Sequence, residues 1–149
     1  MMIGLAVSRF NQVVTARLLA GAQAELARRG IADIEVLEVP GAWELPLGVR
    51  YLLDGGCDGV VALGAVIRGE TDHYEVIVRE SAAGLMRVSL EWGKPVGNAV
   101  LTVENLDQAL ARSEPGPGNK GAEAAAAVVE LASHAASLPP PEKPAADLD

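Results

Sequence analysis

Aromatic side chains are scarce, with one Phe, two Trp and two Tyr among 149 residues. A core built from aliphatic residues has no packing need for an aromatic ring on a polar loop, so the position of each one carries information. Cysteine is scarcer still. The lone Cys57 excludes an intrachain disulfide framework and fits a reducing compartment, so a cytoplasmic location is expected. It stands in Gly55-Gly56-Cys57-Asp58-Gly59 and reads as a small buried apolar residue. Basic residues are outnumbered, 12 Lys and Arg against 20 Asp and Glu, for a net charge of −8. That balance argues against nucleic acid or an anionic membrane as a partner, and any phosphate must be held by a few local cations. No apolar run approaches the ~18 residues of a membrane span. The opening residues have no basic segment before a long apolar stretch, so no signal peptide is expected.

What the chain does have is aliphatic bulk. Half of it is apolar, and a chain of this length buries roughly 70% of its unfolded surface as one domain. Ile3 to Val7 reads as a short buried strand, followed by the turn Ser8-Arg9-Phe10-Asn11. Thr15 to Arg29 carries Leu18, Leu19, Ala22 and Leu26 at helical spacing and closes at Gly30. Ile34 to Val39 alternates as a second strand, broken by Pro40-Gly41-Ala42. Trp43 to Leu53 makes a second helix, with Pro46 in its tolerant first turn. Val60 to Ile67 is a continuous apolar, β-branched run between glycines, suited to a strand buried on both faces. A third helix runs from Tyr74 to about Trp92 and stops at Gly93-Lys94-Pro95. Val96 to Val103 is a fourth strand, and a short helix opened by Glu104-Asn105-Leu106 reaches Arg112. The Ser113–Gly118 link leads to an Ala-rich helix from Asn119 to about Ser137. Residues 1–137 are therefore expected to form one α/β domain. The Pro-, Ala- and charge-rich stretch 138–149 is expected to be a disordered tail.

Strict alternation of strands and helices predicts a three-layer sandwich. Its centre is a four-stranded parallel sheet in flavodoxin-like order, with helices on both faces. The breaks after the strands then share one rim, at the carboxyl ends where open α/β sheets bind ligands. The polar cluster Arg68 to His73 lies there, where a strand hands over to a helix N-terminus that would welcome an anion. Phe10, Trp43, Glu44 and Thr71 fall on the same rim. Each has a plainer reading: His73 as a solvated residue, Thr71 or Asp72 as a simple helix cap, Phe10 and Trp43 as packing against neighbours or a subunit partner.

Taken together, these segments resemble the lumazine synthase family. The matching stretches are Ser8 to Asn11, Val39 to Pro46, Leu63 to Tyr74, Pro95 to Thr102 and Gly118 to Gly121. They stand in register from about Ile3 to Ala132. The resemblance implies condensation of 5-amino-6-(D-ribitylamino)uracil with 3,4-dihydroxy-2-butanone 4-phosphate to 6,7-dimethyl-8-ribityllumazine. No metal and no organic cofactor is implied. Phe10 occupies the family's stacking position for the pyrimidine. Ala42, Trp43 and Glu44 would serve the ribityl chain, and the backbone of Ala65, Val66 and Ile67 the pyrimidine edge. Gly69, Glu70 and Thr71 would hold the phosphate, joined by Arg112 and Lys120, with Arg112 supplied by a neighbouring subunit. His73 is the proton-transfer residue. Asn98 stands where the family often has an aromatic, on the neighbouring-subunit side. The resemblance therefore implies a homopentamer. The short Ser113–Gly118 link favours a further shell of twelve pentamers, whereas the lack of the N-terminal extension of many relatives counts against it.

Two other readings share the pattern. A flavodoxin-like nucleotide binder would want a glycine- or hydroxyl-rich phosphate loop after the first strand, which Ser8-Arg9-Phe10-Asn11 is not. A shell protein with a weakened site remains compatible with the motifs, because of Asn98.

Overall fold

The computed structural model describes residues 1–140 of the chain. The elements are β1 (Met2–Ser8), α1 (Gln12–Arg28), β2 (Asp33–Val39), a 3-10 turn (Ala42–Glu44), α2 (Leu45–Asp54), β3 (Gly59–Ile67), α3 (His73–Trp92), β4 (Val96–Val103), α4 (Leu106–Arg112) and α5 (Lys120–Ser137). All strand pairs are parallel and the sheet order is β2-β1-β3-β4. The chain builds first to one side of β1 and then to the other, so strand order reverses between β1 and β3. The expected α/β sandwich is the one found. The expected tail begins at Leu138, and from residue 141 onward it lies outside the described residues.

Side-chain alternation along the strands divides the apolar residues between two cores. Ile3, Leu5 and Val7 of β1 and Val61 and Leu63 of β3 face α1, α4 and α5, where Leu18, Leu26 and Val128 meet them. Ala6, Val60 and Ala62 face α2 and α3, against Leu45, Val49, Leu53 and Leu85. β3 therefore contributes to both cores, which is why its sequence is an unbroken apolar run. Cys57 is buried in the second core, and that burial pushes its thiol up from the ordinary range.

Two glycines let α1 and α5 approach closely. A Cβ on Gly121 would stand 2.2 Å from the carbonyl oxygen of Leu18, and one on Gly21 would stand 2.1 Å from Oδ1 of Asn119. A larger residue at Gly121 would push on the α1 backbone, and one at Gly21 would displace the Asn119 side chain.

The starts of α1 and α2 differ most from the sequence expectation, and α3 begins one residue early, at His73. α1 begins at Gln12 rather than Thr15, because Asn11 takes a left-handed conformation (φ 63°, ψ 48°) that turns the chain straight into the helix. Asn tolerates that region better than most side chains. The exposed Val13 also hides the helical period at this end. Trp43 lies in the 3-10 turn, and α2 proper starts at Leu45.

Candidate functional site

Backbone and side-chain hydrogen bonds hold the first three rim loops together. The N–H groups of Arg9 and Phe10 donate to the carbonyls of Val39 (2.9 Å) and Pro40 (3.1 Å), which ties the β1–α1 loop to the loop after β2. Asn11 Nδ2 donates to the Ala65 carbonyl at 3.0 Å, which ties the same loop to the end of β3. β1 pairs with β3 only as far as Val7 and Leu63, whereas β3 continues to Ile67 alongside β4. The last residues of β3 thus present one backbone edge free of strand pairing.

These loops enclose an open cleft of about 770 Å³. Its lining includes Phe10, Ala42, Trp43, Glu44, Ala65, Val66, Ile67, Gly69, Thr71 and His73. Phe10 is 71% exposed and Trp43 55% exposed, so neither ring is taken up by packing within the chain. Glu44 is half-buried and, among the described residues, joins no ion pair. Tyr74, Val76 and Ile77 add an apolar wall from the first turns of α3. Glu70, expected with Gly69 and Thr71, is exposed and does not line the cleft. Neither Lys nor Arg appears in the lining.

The N-terminus of α3 opens onto this cleft without a side-chain cap. Asp72 holds the cap position, but with helical angles (φ −71°, ψ −3°) rather than extended ones, and its carboxylate accepts no N–H. Thr71 and Asp72 were each a plausible cap by residue type, and neither caps. The 3-10 turn before α2 is likewise uncapped, as is α1. Uncapped first-turn N–H groups at a positive helix end favour an anion. A Cβ on Gly69 would meet nothing, so steric crowding does not require glycine there, and the bare backbone leaves room for a ligand.

Arg68, absent from the expected site, braces this turn. Its N–H donates to the Val103 carbonyl at 2.9 Å. Its guanidinium lies 3.0 Å from Glu104 and 3.8 Å from Glu75, and 4.6 Å from the centre of the Tyr74 ring. Arg68 belongs to the polar cluster by sequence, but no local pattern signals its partners on either side of the loop.

Asn98, Arg112 and Lys120 line a different cleft of about 540 Å³ between β4 and α5, which shares no residue with the first. Asn98 Oδ1 accepts the Val100 N–H at 2.9 Å, and Arg112 Nη1 donates to the Gln108 carbonyl at 3.0 Å. Lys120 pairs with Glu123 at 3.0 Å. Within one chain the cations are therefore separated from the aromatic, carboxylate and imidazole groups. Among the described residues no group of three or more His, Cys, Asp or Glu side chains is placed to hold a metal ion. No described helix is long and apolar enough to cross a membrane.

Residues 1–136 match the family model for 6,7-dimethyl-8-ribityllumazine synthase. A 6,7-dimethyl-8-ribityllumazine synthase of Levilactobacillus brevis is 50% identical over 134 residues, covering 88% of this chain and 85% of that protein. One of Bdellovibrio bacteriovorus is 45% identical over 129 residues, covering 87% of this chain and 72% of that protein.

Proposed function

The chain belongs to the 6,7-dimethyl-8-ribityllumazine synthase family, and from that premise we infer that it is the transferase of riboflavin biosynthesis that joins 5-amino-6-(D-ribitylamino)uracil to 3,4-dihydroxy-2-butanone 4-phosphate. The observation that carries this reading is the first cleft, where an exposed Phe, a half-buried carboxylate, an imidazole and an uncapped helix end share one rim. Phe10 stacks on the flat pyrimidine. Glu44 accepts from ribityl hydroxyls, aided by the backbone of Ala42 and Trp43. The backbone edge of Ala65, Val66 and Ile67, unpaired by a strand and engaged by Asn11 at the Ala65 carbonyl, pairs with the pyrimidine's polar edge. Gly69 and Thr71, beside the open N–H groups of α3, receive the phosphate, with Glu70 on the outer side of the same turn.

The chemistry is imine formation, loss of phosphate and ring closure. His73 moves protons during these steps, a task suited to an imidazole at neutral pH. Much of the acceleration comes from holding two substrates in one geometry.

The active unit is a homopentamer. The first cleft has no cation and the second has Arg112 and Lys120, so the two halves complement one another across copies. A head-to-tail interface of that kind closes into a ring. Exposed Val76, Met86 and Leu90 on α3 supply apolar surface for association. Arg112 then binds the phosphate bidentately, Lys120 adds positive potential, and Asn98 faces the pyrimidine from the neighbouring copy. Twelve pentamers close into a shell in the larger form. The domain that carries the site is 1–137, and the location is cytoplasmic, in keeping with the lone buried thiol.

The test is to mix both substrates with purified protein and follow lumazine absorbance together with released phosphate. One phosphate per lumazine is the expected result. Absence of product would leave the shell-protein reading in its place. Light scattering tests the assembly: a mass of one subunit would overturn the shared site, and a mass of five or ten subunits would reject only the shell.

A further inference from the structure

Arg17 lies on α1, half-buried, and lines a groove between α1 and α5 rather than either cleft described above. Its Nη2 donates to the carbonyl of Leu110 at 3.0 Å and its Nε to the carbonyl of Ser113 at 3.3 Å. These two carbonyls flank Arg112 in the chain. The last carbonyls of a helix lack i+4 partners within it; in the 7-residue α4 the Leu110 carbonyl accepts the Ser113 N–H at 3.2 Å and has a second lone pair to offer. Arg17 adds a donor to both carbonyls from outside the helix, with a positive charge at the negative end of the helix dipole and a planar fork that spans both acceptors.

The same turn is clasped again by its neighbours. Ser113 Oγ donates to the Ala109 carbonyl at 2.8 Å, and Asn119 Nδ2 donates to the carbonyls of Ser113 (3.0 Å) and Arg17 (3.2 Å). Arg112 itself is exposed, and among the described residues its side chain bonds only to its own helix, at the Gln108 carbonyl. The backbone under Arg112 therefore determines where its guanidinium starts from, and Arg17 holds that backbone.

We propose that Arg17 is a positioning residue for the butanone phosphate: it fixes the C-terminal turn of α4 so that Arg112 presents its guanidinium to the phosphoryl group. This rests on the reading of Arg112 as the phosphate-binding cation. Arg17 is not assigned a contact with substrate, because it lines the α1–α5 groove and not the Arg112 cleft.

Steady-state kinetics on Arg17→Met, Arg112→Ala and the double variant test this in the assembled protein. Arg17→Met is expected to raise KM for the butanone phosphate roughly tenfold, the scale of a small misplacement, and to leave KM for the pyrimidine unchanged. Arg17→Lys, which keeps the charge but loses the fork, is expected to fall between. If the Met variant does not fold, the Lys variant must still show the selective rise. In the Arg112→Ala background, Arg17→Met is expected to have no further effect on that KM. Additive effects, equal changes in both KM values, or a lowered Tm with neither KM changed would each overturn the inference. An unchanged phosphate KM in Arg112→Ala would overturn the reading of Arg112, and this inference with it. A raised KM there beside a normal one in Arg17→Met overturns the inference alone.

Discussion

The N-termini of α3 and α5 are built from similar residue types and serve opposite ends. Before α5, Asn119 is fully buried and extended, and its Oδ1 accepts the Ala122 N–H at 3.0 Å. Its Nδ2 reaches two more carbonyls, and the helix behind it packs on α1 through paired glycines. Before α3, Asp72 is exposed and already helical, and its carboxylate caps none of the first-turn N–H groups. One helix start is closed by the chain itself and adds stability. The other is left open beside the cleft, and its cap is free to be a ligand. α4, whose start does not line that cleft, is capped like α5, with Asn105 accepting the Gln108 N–H at 2.9 Å.

Breaking the open end should cost activity and spare the fold. His73→Ala is expected to lower kcat by roughly ten- to a thousandfold, with an unchanged Tm, because proton transfer is one contribution among several. Unaltered turnover in the purified variant would remove His73 from the chemistry. Arg112→Ala is expected to raise KM for the butanone phosphate by roughly ten- to a hundredfold, the range for losing charged hydrogen bonds, and to change pyrimidine affinity little. Calorimetry with each substrate alone checks the split.

Breaking the closed end should do the reverse. Gly121→Ala is expected to destabilise by about 1–3 kcal/mol through overpacking against α1. Asn119→Ala is expected to cost about 1–2 kcal/mol through the lost cap. Urea denaturation of both variants measures this. The paired control is Asp72→Ala, expected to change stability by less than about 0.5 kcal/mol, because no cap is lost. A loss at Asp72 equal to that at Asn119 would erase the contrast between the two helix starts.

The smallest effect concerns the second cleft. Asn98→Phe is expected to tighten pyrimidine binding by about 0.5–1.5 kcal/mol if a ring contact replaces the Asn98–Val100 hydrogen bond. Weaker binding of a ribityl-pyrimidine analogue would show that the amide makes a contact of its own.

Much of this architecture was legible in the residues. β4 spans the predicted Val96–Val103, and glycine or proline marks most element ends, because backbone restrictions at those residues act locally. The rim was legible too, since parallel strands joined by helices place every strand's carboxyl end on one side. The open start of α3 was not. Thr71 and Asp72 are both good caps by type, and the helical backbone angles that Asp72 takes in the folded chain leave it without that role. The exposure of Glu70 on the outside of the same turn was hidden for the same reason.

By itself, then, the sequence determined the order of elements, the parallel sheet, the two-faced burial of β3 and the set of residues at the rim. Each follows from local propensity or from a hydrophobic period, which neighbouring residues settle among themselves. The tertiary structure decided which rim residues share a cleft, which helix starts stay open, and which arginine supports which turn. Arg17 and Leu110 meet across 93 residues, and Asn11 and Ala65 across 54. No local pattern encodes contacts at such separations. They exist because the helices are docked on the sheet and buried carbonyls must find donors there.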